Sequence, residues 1–185
     1  MADQRLARLT GLLYALNVAI GLTALYLAGN GHARASMQLN IFGGAEYAIV
    51  VLLLARLLEP AGRAASWAVA AVGLAGCALT PVAFLHLMPA PSPLPVFGLY
   101  CLGLGLLIAR SGLLPRVIGL LLMVGGVSWL TFAWPALSHR LQPWSTAAGA
   151  SPEIILTLWL ILFGIRTAAL GGARRVSAAV PAVKL

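Results

Sequence analysis

Six long apolar stretches, separated by short polar turns, organise this chain from end to end: Leu9 to Ala28, Leu39 to Ala55, Ala64 to Met88, Pro93 to Ala109, Val117 to Leu137 and Pro152 to Leu170. Crossing about 30 Å of hydrocarbon takes about 20 helical residues, so each stretch has roughly the length of one membrane span. None shows the strict alternation of a barrel strand, and in lipid only a helix pairs every backbone group within its own segment. The pattern predicts an all-α fold, an integral membrane six-helix bundle. Two starts are punctuated: Ser92-Pro93 and Ser151-Pro152 each place a capping hydroxyl before a proline suited to the first helical position. Residues 1–170 read as a single six-span transmembrane domain, and 171–185 as a flexible basic cytoplasmic tail, which Arg174 and Arg175 would hold near anionic headgroups.

Composition removes the alternatives. Of 185 residues only 12 are Lys or Arg and 4 are Asp or Glu, while 61% are hydrophobic and the mean hydropathy is +0.97. Soluble chains are about a quarter charged, so this one cannot clothe itself in water, and its expected partner is the lipid bilayer. The net charge of +8 is spread as single arginines between apolar runs, which excludes a nucleic-acid patch, and two cysteines do not make a disulfide scaffold. The charges are also lopsided. Arg5, Arg8, Arg56, Arg63, Arg110, Arg116, Arg166, Arg174, Arg175 and Lys184 fall on one side of the spans, and only Arg34 and Arg140 on the other. By the positive-inside rule this predicts both termini in the cytoplasm of a bacterial cell, an N-in/C-in protein of the inner membrane. Arg5 and Arg8 before an apolar run, with Ala33-Arg34-Ala35 after it, imitate a signal peptide, but the run is too long for one and is expected to stay as the first span. Tyr26, Trp67, Trp134 and Trp144 fall near span ends, as an interfacial aromatic belt requires.

Helices in lipid associate through small residues and buried hydrogen bonds. Gly98, Cys101, Gly105, Ala109 and Gly112 recur at helical spacing on the fourth span, and Ser66, Ala70, Gly73, Cys77 and Thr80 on the third, so both cysteines read as packing residues. Pro81 is expected to kink the third helix, and Gly125-Gly126 to loosen the fifth. The turns Arg56-Leu-Leu-Glu-Pro-Ala-Gly-Arg63 and Arg110-Ser-Gly-Leu-Leu-Pro-Arg116 echo one another, as tight membrane hairpins do.

An ionisable side chain inside a span is costly and is therefore a functional candidate. Glu46 lies well inside the second span beside Gly43 and Gly44; Thr10, Tyr14, Asn17, Gly21 and Ala24 form a polar and small face on the first. These residues predict that Glu46 faces the bundle and hydrogen-bonds Asn17 or Tyr14, as a structural tie or as a proton-linked or ligand-binding group. Glu153 is placed in the first turn of the last helix, where the helix dipole favours a carboxylate. His32, His86 and His139 map to the outer side with it, making His86 and His139 the metal candidates, but no metal-binding spacing joins them and no cofactor is predicted. No nucleophile elbow and no phosphate-binding glycine loop occur, and the reading leans away from an enzyme.

Leu104-Gly-Leu-Leu-Ile-Ala-Arg-Ser-Gly-Leu-Leu-Pro-Arg-Val-Ile-Gly-Leu-Leu-Leu122 and Glu153-Ile-Ile-Leu-Thr-Leu-Trp-Leu-Ile-Leu-Phe-Gly164, with the opening Arg8-Leu-Thr-Gly-Leu-Leu-Tyr14, resemble a bacterial membrane-protein family known as domain of unknown function 4386. The third span departs from the family, reading Ser66-Trp-Ala-Val-Ala70 where a basic residue is usual. The resemblance implies a multi-helix bacterial membrane protein and brings no activity with it. Three functions stay open. The first is a non-enzymatic protein with Glu46 and Asn17 as polar determinants, either an accessory subunit of a larger membrane complex or homo-oligomer, or a binder of a lipid-like or small apolar molecule. The second is a small proton-linked transporter centred on Glu46, and the third an outward-facing metal-dependent enzyme using His86, His139 and Glu153.

Overall fold

The computed structural model describes residues 2–85 and 92–165. Its helices are α1 (Ala2–Gly29), α2 (Ala33–Leu58), α3 (Arg63–Phe84), α4 (Leu94–Ser111), α5 (Arg116–Leu130), α6 (Pro135–Leu141) and α7 (Trp144–Leu162), with 3₁₀ turns at Glu59–Ala61 and Thr131–Ala133. No strand occurs among the described residues. Six helices, all but α6, are long and apolar enough to cross a membrane. The chain is therefore an all-helical bundle with the composition of a multi-pass membrane protein.

Each spanning helix packs on its neighbour in the chain, and α7 returns to pack on α1, so the six close into a ring. Spans alternate in direction. Among the described residues this puts Arg5, Arg8, Arg56, Arg63, Arg110 and Arg116 at one end and Arg34 and Arg140 at the other. The ring is latched at its arginine-rich end. There the Gln4 side-chain amide donates to the Ile165 carbonyl at 2.7 Å and accepts the Ile165 N–H at 3.2 Å. Gly164 makes this possible, because its φ of +67° disfavours a side chain and a Cβ there would collide with Gln4 Oε1.

The closest crossing is between α4 and α5, and glycine sets it. A Cβ on Gly98 would stand 2.7 Å from the Gly126 carbonyl oxygen, and one on Gly105 would stand 2.5 Å from that of Gly119. Two glycines seven residues apart on each antiparallel helix thus let backbone touch backbone, gaining dispersion contacts where lipid offers no hydrophobic drive. Gly125-Gly126 therefore binds helices together, where the sequence suggested loosening: Gly126 meets Gly98 of α4, and Gly125 meets the Gly149 carbonyl of α7. On α3, Ser66, Ala70, Cys77 and Thr80 are all buried, as their spacing predicts, and Ser66 Oγ donates to the Ala55 carbonyl at 2.6 Å. Gly112 does not continue the α4 stripe; it ends the helix in a left-handed conformation.

Two boundaries differ in ways that matter. The fifth span stops at Leu130, and the chain then makes the 3₁₀ turn and the short α6. The sixth begins at Trp144, eight residues before the expected Ser151-Pro152 start, so Pro152 lies inside α7. A proline costs a membrane helix one backbone bond, which neighbouring helices can offset. Here the carbonyl four residues back, that of Ala148, faces the bare Cα of Gly125. The Ser92-Pro93 boundary holds to within one residue: Ser92 Oγ accepts the Leu94 N–H at 3.3 Å and α4 starts at Leu94. The ends expected at Met88 and Leu170, and the tail 171–185, lie outside the described residues.

Gly119→Val should wedge α4 from α5, costing about 1–3 kcal/mol by forced repacking. Thermal unfolding in detergent should show a lower midpoint for this variant, whereas Gly21→Val, at an open position on α1, should leave it unchanged.

Candidate functional site

Near the middle of the ring, side chains from three helices meet on a carboxylate carried by a fourth, and a fifth helix joins through one of them. Glu153 lies halfway along α7. Its Oε2 accepts the Tyr14 hydroxyl of α1 at 2.7 Å, and its Oε1 accepts the Trp129 indole N–H of α5 at 2.9 Å. The Cys101 thiol of α4 stands 3.7 Å from the same Oε1. A phenol has one proton, and that of Tyr14 is given to Glu153, so at 3.0 Å the Tyr47 hydroxyl of α2 donates to Tyr14. The Tyr47 ring in turn packs edge-on against Phe97 and Tyr100 of α4, with centroids 5.5 and 6.2 Å apart.

Glycines place these groups too. Gly11 lets α1 approach α7 so closely that a Cβ there would be 2.9 Å from the Ile161 amide nitrogen, and this brings Tyr14, one turn on, within reach of Glu153. Gly149 lies under the Trp129 indole, where a Cβ would be 2.5 Å from the ring, and so lets the N–H reach the carboxylate one turn further along α7. Every donor in the cluster comes from a different helix, so the carboxylate acts as a cross-brace.

The expected location of Glu153 is thus corrected. It is no helix-opening residue served by the dipole, because α7 starts nine residues earlier. The expected Tyr14 bond to Glu46 is corrected, because Tyr14 reaches past it to Glu153. Asn17 does stand beside the Glu46 carboxyl, while its amide donates to the Gly43 carbonyl at 2.8 Å. Glu46 does face into the bundle and is buried, but neither carboxyl oxygen has a hydrogen-bond partner among the described residues. Of the polar face read on α1, Thr10, Tyr14 and Ala24 are buried and Gly21 is exposed. His139 is exposed on α6, His32 is exposed before α2, and His86 lies outside the described residues. Among the described residues no three His, Cys, Asp or Glu side chains are grouped as a metal ion would need.

Sequence reasoning missed Trp129 and Tyr47, and it took Cys101 only as packing. A signal did exist: a tyrosine hydroxyl buried in lipid must find a partner, and Tyr14, Tyr47 and Tyr100 are all interior. Tyr100 is the exception, its hydroxyl having no partner among the described residues.

Residues 92–164 match the family described as Domain of unknown function (DUF4386). The match spans α4 to α7 and so includes Cys101, Trp129 and Glu153, while Tyr14, Tyr47 and the Arg8–Tyr14 opening lie before it. It bears out the resemblance carried by the Arg110–Arg116 turn and the stretch from Glu153. Comparison with curated proteins and with solved structures gave no match.

Glu153→Ala should leave the Tyr14 and Trp129 donors unpaired, each costing about 1–3 kcal/mol, whereas Tyr14→Phe removes one bond worth about 1 kcal/mol. Unfolding midpoints in detergent should fall in the order wild type, Tyr14→Phe, Glu153→Ala. Equal midpoints would show that the cluster braces nothing.

Proposed function

We propose that this protein is a non-catalytic integral membrane protein of the bacterial inner membrane, with both termini in the cytoplasm, serving as an accessory subunit of a larger membrane complex or of a homo-oligomer. The observation that carries the reading is the Glu153 brace, which joins α1, α2, α4, α5 and α7 through one connected set of side chains. Alternating access needs one group of helices to rock against another. A carboxylate tied to three other helices, and through Tyr14 to a fourth, opposes that motion, so the bundle is better suited to present a fixed surface than to carry a solute. Exposed apolar side chains on every spanning helix, among them Leu25, Phe42, Trp67, Leu99, Val124 and Leu158, supply that surface to lipid or to a neighbouring subunit.

A second reading, a proton-linked carrier centred on Glu46, is favoured by its buried carboxyl without a hydrogen-bond partner. One pair of measurements separates the two. Solubilised in mild detergent, an accessory subunit migrates in an assembly larger than its 19.2 kDa chain, and Glu46→Gln leaves vesicle permeability unaltered at every pH. A monomer whose pH-dependent uptake is abolished by Glu46→Gln would reverse the choice. The orientation rests on the arginine asymmetry, and a fluorescent reporter that matures only in the cytoplasm should light up when fused after Leu185.

A further inference from the structure

The arginine-rich end carries an open pocket of about 230 Å³, lined by Asp3 and Leu6 of α1, Arg56 and Leu57 of α2, Glu59 and Pro60 of the following turn, and Ile165 beyond α7. That is far more than the roughly 15 Å³ that admits one water. The lining is unusual for this chain. Asp3 and Glu59 are two of its four acidic residues, the other two being Glu46 and Glu153 inside spanning helices, and both stand at the end where arginine predominates. Here they share a space with Arg56, which is exposed.

The groups are also held in position. Glu59 Oε1 accepts the Trp67 indole N–H at 2.8 Å, which fixes the carboxylate from α3. The Gln4–Ile165 latch, one residue from Asp3, holds the α1 wall against the end of α7. Leu6, Leu57, Pro60 and Ile165 give the pocket an apolar wall beside its charged one.

We propose that this pocket binds the headgroup of a zwitterionic aminophospholipid. The chemistry is complementary part by part. A primary ammonium donates up to three hydrogen bonds and is matched by the Asp3 and Glu59 carboxylates; a phosphodiester is matched by the Arg56 guanidinium. The apolar wall then receives the glycerol end as the acyl chains turn into the membrane. An anionic headgroup with no ammonium would meet two carboxylates without compensation, and a quaternary ammonium offers them no N–H. The site is independent of the function proposed above, since it touches neither the Glu153 brace nor Glu46.

The test is native mass spectrometry of the full-length protein from detergent supplemented in turn with phosphatidylethanolamine, phosphatidylcholine and phosphatidylglycerol. The expected result is one retained phosphatidylethanolamine per chain, with the other two lipids held about tenfold more weakly. Asp3→Asn with Glu59→Gln should abolish the preference, and Arg56→Gln should weaken retention of phosphatidylethanolamine about tenfold. Because these three residues lie outside the apolar core, the unfolding midpoint without added lipid should match wild type, which separates loss of binding from loss of fold. Equal retention of all three lipids, retention undiminished in the double variant, or preference for phosphatidylglycerol would each overturn the proposal. Deleting the chain after Ile165 should leave the preference intact; its loss would assign the site to the chain's own basic tail.

Discussion

One carboxylate in a low-dielectric interior organises this bundle. Bringing Glu153 out of water costs several kcal/mol unless donors replace its hydration, and lipid supplies none. Tyr14, Trp129 and Cys101 supply them, with Tyr47 completing the chain of bonds, so five helices must meet in one register for the group to be satisfied. The cost of leaving the carboxylate bare becomes a penalty on every misassembled arrangement of helices. Such a group specifies a structure more than it stabilises one, because the gain over an apolar core is small while the loss on breaking the network is large.

Glycine makes that register reachable. The hydrogen bonds at Glu153 span only about 3 Å, and helix axes separated by full-sized side chains would hold the donors too far apart. Gly11 draws α1 onto α7, Gly125 and Gly149 draw α5 and α7 together, and the pairs Gly98–Gly126 and Gly105–Gly119 set α4 on α5. Small residues and the polar cluster are therefore one device: the first permits the close approach that the second requires.

The two intramembrane carboxyls show how far chemistry depends on surroundings. Glu153 is ringed by donors and has become part of the framework, while Glu46, buried on α2 with no hydrogen-bond partner among the described residues, is left unengaged. At the membrane surface the same contrast recurs with opposite charges, where Asp3, Glu59 and Arg56 stand around a pocket instead of filling it.

The number of spans and the placement of the first four were legible in the sequence, because about twenty consecutive apolar residues in lipid have only one way to satisfy their backbone. So were the arginine asymmetry, the buried small stripe on α3, and the position of Tyr14 and Glu46 as polar groups inside spans. The partners were not. Tyr14 and Glu153 are 139 residues apart, and they meet only because α7 closes the ring against α1, a fact that no local spacing encodes. Pro152 misled for a related reason: proline reads as a helix start in isolation, yet α7 runs through it, packed against Gly125 of α5, and carries Glu153 to its midpoint. The sequence by itself determined that six segments are apolar and long enough to span, since that follows from the transfer of each segment out of water. Which of them touch was decided by tertiary structure alone, since helix association in lipid depends on shape and hydrogen bonding between segments distant in the chain.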